Sequence, residues 1–322
     1  DDEAVIDTGA GHVPQIPSAL RLVEEGRVPV RGAGPTHAII ARDDHGARHL
    51  LAANYGDGSI SVHPMDDRGV VLEAAQLLTG SGGGPLPAQE GPHAHWLLQV
   101  PDGRVLSTDL GADRIHVHDW RDGVLRRIAS IRLMPGTGPR DMHMLPTGDL
   151  GGSGWRVAVV DEWGGTVTVL ASEPDIHVVQ TVELGGDDND QAASMAYVPM
   201  AALGAADCAD CADDPAAPAP YSGFAYVGLR GSERIVTLRW DGETLERLDH
   251  PWIDDWRGRG VSCGGSRPRQ LIAIDDILLA ADEASDNLAV FRLSADGQPR
   301  LISTVAAPSP TVMLPLPVVL PL

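Results

Sequence analysis

The chain contains no lysine. All 24 of its basic side chains are arginines, set against 45 acidic residues for a formal charge of −21. So acidic a surface repels phosphate backbones and anionic lipid headgroups, which argues against nucleic acid or a membrane as a partner. An anionic small molecule would have to be drawn in by a few converging arginines against the overall field. Cysteine is also scarce: Cys208, Cys211 and Cys263 are too few for a disulfide framework in 322 residues. No run of about 20 apolar residues is available to span a bilayer. The opening Asp1-Asp2-Glu3 has neither the basic nor the apolar region of a signal peptide. A soluble, cytoplasmic protein is the expectation, with its oligomeric state left open.

Long helices have little room either. With 37 Gly and 25 Pro, few stretches of more than ten residues escape both. The length allows one large β domain or two ordinary ones, and the composition favours a single domain over 1–322.

What is present is a repeat. Five times a short apolar run ends in a pivot residue, a small or polar turn follows, and alternation resumes. The five segments are LLAANYGDGSISV around Asn54, VLSTDLGADRIHV around Asp109, VAVVDEWGGTVTV around Asp161, AYVGLRGSERIVTL around Leu229 and LLAADEASDNLAVF around Asp282. Successive pivots are 55, 52, 68 and 53 residues apart. The long interval holds ADCADCADDPAAPAP, which reads as a loop inserted at about 203–220. Six residues after each pivot stands Ile60, Ile115, Val167, Ile235 or Leu288. Each repeat divides into four alternating strands; in the second these are HAHWLLQV, RVLSTDL, RIHVHDW and VLRRIASIRL. Antiparallel meanders repeated about every 50 residues predict the blades of a β-propeller. An irregular β-sandwich would not show so regular a spacing. Residues 17–31 resemble the outer strands of a sixth blade, and the PSPTVMLPL tail could supply a strand that closes the ring.

Blade entrances gather at one mouth of a propeller's channel. Four of them carry ionisable residues: GPTHAII (His37), GPHAHW (His93, His95), GTGPRDMHML (Arg140, Asp141, His143) and SRPRQLI (Arg267, Arg269). A lone histidine beside a turn is ordinary loop chemistry. Four such entrances suggest a site, since a buried arginine without an anion is costly. Cys208 and Cys211 have a CxxC spacing with no second half-site nearby, and the acidic pairs Asp187-Asp188 and Asp254-Asp255 lack the periodicity of a Ca²⁺ loop. No metal or cofactor is expected. Trp96, Trp155 and Trp163 could form a pocket wall or pack between blades.

ANYGDGSISV, PHAHW…DLGADRIHV, PGTGPRDM…VVDEWGGTVTVL, VGLRGSERI and PRQLIAI…ADEASDNLAVF resemble, in that order, the blade signatures of the seven-bladed lactonase family. This family includes propeller-type 6-phosphogluconolactonases and carboxy-muconate cyclases. The resemblance covers roughly residues 17–313 and implies a seven-bladed ring, of which this chain shows at most six blades. It implies a catalytic set of His95, Arg140, Glu162 and Arg230. His37, Asn54, His93, Asp109 and Arg269 are expected to bind substrate. Two arginines can hold an anion and polarise a lactone carbonyl, while a histidine and a carboxylate share proton transfer. No catalytic Ser or Cys is then required. The expected function is hydrolysis of a small anionic lactone, with a muconate-type cycloisomerase or a non-catalytic binding scaffold as alternatives. Two departures stand out: Asp141 where the family commonly has histidine, and Asp161 where it has asparagine. Both add negative charge, which counts against a doubly charged phosphate ester.

Overall fold

The computed structural model describes residues 24, 26–148, 154–186, 190–204, 221–248 and 260–315. They form five four-stranded antiparallel meanders in chain order. Blade one contains β1 (Pro35–Arg42), β2 (Arg48–Asn54), β3 (Ser59–Pro64) and β4 (Gln76–Leu78). Blade two contains β5 (Ala94–Gln99), β6 (Val105–Asp109), β7 (Arg114–Arg121) and β8 (Val124–Arg132). Blade three contains β9 (Pro139–Leu145), β10 (Arg156–Asp161), β11 (Thr166–Ala171) and β12 (His177–Glu183). Blade four contains β13 (Ala192–Pro199), β14 (Gly223–Leu229), β15 (Arg234–Trp240) and β16 (Leu245–Arg247), with a short β17 (Val261–Ser262) also paired to β15. Blade five contains β18 (Pro268–Ile274), β19 (Ile277–Asp282), β20 (Asn287–Leu293) and β21 (Pro299–Ala306). The first strands β1, β5, β9, β13 and β18 pack side by side in succession, which is the inner wall of a propeller.

Four apolar clusters fill the four spaces between consecutive blades. The period-2 pattern of each sheet supplies them, because one face of each blade meets the opposite face of the next. Trp240, fully buried between blades three and four, also donates its indole N–H to Pro146 O at 2.7 Å. Trp155 makes the matching strut from blade three to Asp102 of blade two at 2.8 Å. The outer strands β8, β12 and β21 are largely exposed, as sheet edges facing solvent are.

The five pivots are the last residues of β2, β6, β10, β14 and β19, and each pairs with the residue five positions on. Four pivots are polar and staple this corner. Asn54 donates to Ser59 and Ser61, Asp161 accepts from Thr166 and Thr168, and Asp282 accepts from Asn287. Asp109 accepts from the His93 and Ala112 amides.

Among residues 17–31 only 24 and 26–31 are described, and they carry no strand. Residues 205–220, which hold Cys208 and Cys211, lie outside the described residues between β13 and β14, as do Asp187-Asp188 and Asp254-Asp255. The tail to residue 315 has no strand but repeats the contacts of a blade entrance. Ala307 N donates to Asp286 O as Leu133 N does to Asp113 O. Ser309 N donates to the Asp286 carboxylate as Gly138 N does to that of Asp113. Met313 N donates to the Gln270 side chain as Leu97 N does to His37. Among the described residues no helix is long and apolar enough to cross a membrane.

Candidate active site

Two positions in every blade deliver side chains to the inner mouth. The first is a β-bulge near the start of each inner strand. The ladders skip one residue at Thr36, His95, Arg140 and Arg269, and one at Ala193-Ser194 in blade four. A bulge leaves its extra residue unpaired and re-aims its side chain. The second position follows the pivot: Tyr55, Leu110, Glu162, Arg230 and Glu283. In all five the backbone N–H donates to a carbonyl of the same blade's entrance, Gly34, His93, Gly138, Gln191 and Arg267 respectively, at 2.8–3.2 Å. The two positions of each blade are thereby locked to one another.

His95, Arg140, Glu162, Arg230 and Arg269 all come from these two positions, and they converge. Glu162 Oε2 lies 3.1 Å from Arg140 Nε, and its Oε1 lies 2.7 Å from Arg230 Nη2. All three side chains are buried. Arg140 also donates Nη1 to Ala193 O. The guanidinium N–H vectors nevertheless miss the carboxylate: Arg140 Nε and Arg230 Nε and Nη2 have no hydrogen-bond acceptor among the described residues. Arg269, partly exposed, makes no ion pair among the described residues and acts electrostatically on His95, Arg140 and Tyr55.

The imidazole of His95 is held well below its ordinary pKa, first by burial and then by Arg140, Arg269, His37 and Arg230. It is neutral, and its Nδ1 has no hydrogen-bond partner among the described residues. Burial also lowers the pKa of Arg140, against the opposing charges of Asp141 and Glu162. Arg140, Arg230 and Arg269 thus share the mouth with Glu162 and, from blade five, Glu283, while Asp141 is buried and paired to His143 at 3.2 Å. At these two positions guanidinium groups outnumber carboxylates, in a strongly acidic chain.

Of the other expected substrate contacts, His93 stacks on Tyr55 with centroids 4.4 Å apart, and its Nδ1–H donates to Tyr55 O at 2.8 Å. His37 is the residue after the bulge, so it turns between blades one and two, 3.6 Å above Trp96, and accepts from Leu97 N. Burial lowers its pKa to about 4, although Asp141 opposes the shift. Asn54 and Asp109 are taken up as corner staples; Gly32 sits so close that a Cβ there would lie 2.2 Å from the Asn54 amide nitrogen. Trp155 is an inter-blade strut, and Trp163 covers Gly138, where a Cβ would meet its ring at 2.4 Å and φ is +61°. The sequence pattern had not singled out Tyr55; its place immediately after a pivot, shared with Glu162 and Arg230, is the signal that marks it. Among the described residues no group of three or more His, Cys, Asp or Glu could hold a metal ion.

Residues 15–315 match the family described as lactonase, seven-bladed β-propeller. The chain belongs to this lactonase family. It is 26% identical over 293 residues to a 6-phosphogluconolactonase of Bacillus subtilis, which covers 86% of this chain and 72% of that protein. An uncharacterised protein of Lactococcus lactis is 25% identical over 274 residues, 83% of this chain and 69% of its own. The crystal structure of a periplasmic gluconolactonase of Pseudomonas aeruginosa superposes with a TM-score of 0.67 at 23% identity, over 88% of this chain and 74% of the other, and shows the shared fold.

Proposed function

We propose that the protein hydrolyses a small anionic lactone of the sugar-acid type, similar to the substrate named for its 6-phosphogluconolactonase relative. The observation that carries this reading is the set of buried guanidinium donors without acceptors at Arg140 and Arg230, beside the unpartnered Nδ1 of His95. The arginines would bind the anionic group and stabilise the oxyanion formed at the carbonyl. His95 would accept the proton of the attacking water. Glu162, with both oxygens beside guanidinium groups, holds the two arginines together. Bound anion would offset the positive charges that suppress the basicity of His95, so substrate switches on its own base.

Hydrolysis of a lactone panel, 6-phosphogluconolactone and δ-gluconolactone included, tests this reading. Turnover above the spontaneous rate is expected for at least one member, with kcat/KM reduced about 10²–10³-fold in Arg140→Met. No turnover of any member overturns it. Three convergent guanidinium groups also suit a polycarboxylate, which sustains a muconate-type cycloisomerase as the second reading; loss of muconate ultraviolet absorbance distinguishes the two. A cytoplasmic setting belongs to the proposal, and fractionation of the source cells against a periplasmic marker tests it.

A further inference from the structure

The lactonase reading leaves one proton unassigned. When the ring C–O bond breaks, the leaving alkoxide needs a proton, and the residues already discussed are poorly placed to give one. His95 is neutral and would be taking a proton from water. Glu162 is held between two guanidinium groups. His93 has committed its Nδ1–H to a backbone carbonyl.

Tyr55 occupies the post-pivot position in blade one, the place that Glu162 and Arg230 fill in blades three and four, fixed by the same amide-to-entrance hydrogen bond. Its ring is braced on His93 at 4.4 Å with an 11° interplanar angle. It meets His95 edge-on, with centroids 6.1 Å apart at 87°. The ring is half-buried, and its hydroxyl has no hydrogen-bond partner among the described residues. We propose that Tyr55 is a catalytic residue, the general acid that protonates the leaving alkoxide.

The cycle balances. Water adds to the carbonyl carbon while its proton passes to His95. The tetrahedral intermediate collapses, the ring C–O bond breaks, and the Tyr55 O–H proton goes to the alkoxide. The phenolate then recovers a proton from the His95 imidazolium, returning both groups to their starting states. In support, the phenol is held above its ordinary pKa, mainly by burial and next by Glu162, so it remains protonated at neutral pH. The opposing arginines sit where they would stabilise the transient phenolate.

The proposal rests on the lactonase reading, and one experiment separates the two. Wild type and Tyr55→Phe, which preserves the ring contacts, are compared on δ-gluconolactone, whose alkoxide leaving group needs protonation. The second probe is dihydrocoumarin, whose phenoxide leaving group does not. The expected result is a kcat loss of about 10²–10³-fold on the aliphatic lactone, with KM shifted no more than about 3-fold and a loss of at most a few-fold on the aryl lactone. Equal losses on both probes would make Tyr55 a structural residue and overturn the proposal, as would unchanged aliphatic turnover in the variant. If neither neutral probe is turned over, wild type and Tyr55→Phe are compared on 6-phosphogluconolactone, and absence of wild-type turnover on all three would remove the lactonase reading and the acid role with it.

Discussion

At the residue scale the site works by withholding partners. The guanidinium groups of Arg140 and Arg230 are close enough to Glu162 to cancel its charge, yet leave buried N–H groups without acceptors. His95 is kept neutral first by burial and then by the same arginines that would bind substrate. The pH dependence follows from that direction. A base whose pKa is depressed stays deprotonated well below pH 6.5, so kcat/KM, which reports the free enzyme, is expected to stay level from pH 8 to well below 6.5. In kcat, which reports the complex, the acid limb should lie at higher pH, because bound anion offsets the arginines. An acid limb of kcat/KM centred at or above 6.5 would contradict this account. The sequence displayed these residues but not their shared geometry. His37 and His95 look alike at the head of a blade, whereas the ladder shows that Thr36, not His37, occupies the bulge. A one-residue bulge is defined by pairing between strands, which a linear pattern does not contain.

At the scale of the element, the blade corner explains why the pivots repeat. Asn54, Asp161 and Asp282 tie the end of the second strand to side chains on the third, each bond contributing about 0.5–1.5 kcal/mol. The pivots were legible from spacing, but their part in the corner was not: Asn54 and Asp109, expected to meet substrate, are buried and hydrogen-bonded there. Asp161 is a special case. Burial raises its pKa from 3.8 to about 7, although Thr166 and Thr168 donate to it. Because the folded value is the higher one, its stabilising contribution is complete below about 4 and disappears as pH rises through about 7. Asn54 makes equivalent contacts to Ser59 and Ser61, so asparagine fits this corner. Asp161→Asn is therefore expected to melt progressively higher than wild type as pH is raised from 4 to 8. Asp282, raised to about 6 by burial, leaves a smaller residual dependence in the variant. Thermal melts across that range check this expectation, and a constant difference between the two proteins would refute it.

At the scale of the whole molecule, the meander repeat was visible from composition, turns and spacing, since those features are local. The convergence at the mouth was less visible, because it depends on which inner strands lie beside one another. The succession of inner strands brings together residues as distant in sequence as His95 and Arg269. It also sets a local excess of guanidinium groups inside a chain of charge −21. The central claim is that this local excess selects an anionic lactone despite the opposing global field. The most direct measurement is the ratio of kcat/KM for 6-phosphogluconolactone to that for δ-gluconolactone at low salt, in wild type and in Arg269→Met. Arg269 is partly exposed and holds no ion pair among the described residues, so its replacement is expected to leave the fold intact. The negative charge that Asp141 and Asp161 were expected to set against a phosphate ester is taken up by His143 and by the Thr166 and Thr168 hydroxyls, so we expect wild type to prefer the charged lactone by about 10-fold or more, and the variant to lose most of that preference. A wild type indifferent to the charge, or a preference untouched in Arg269→Met, would contradict the account.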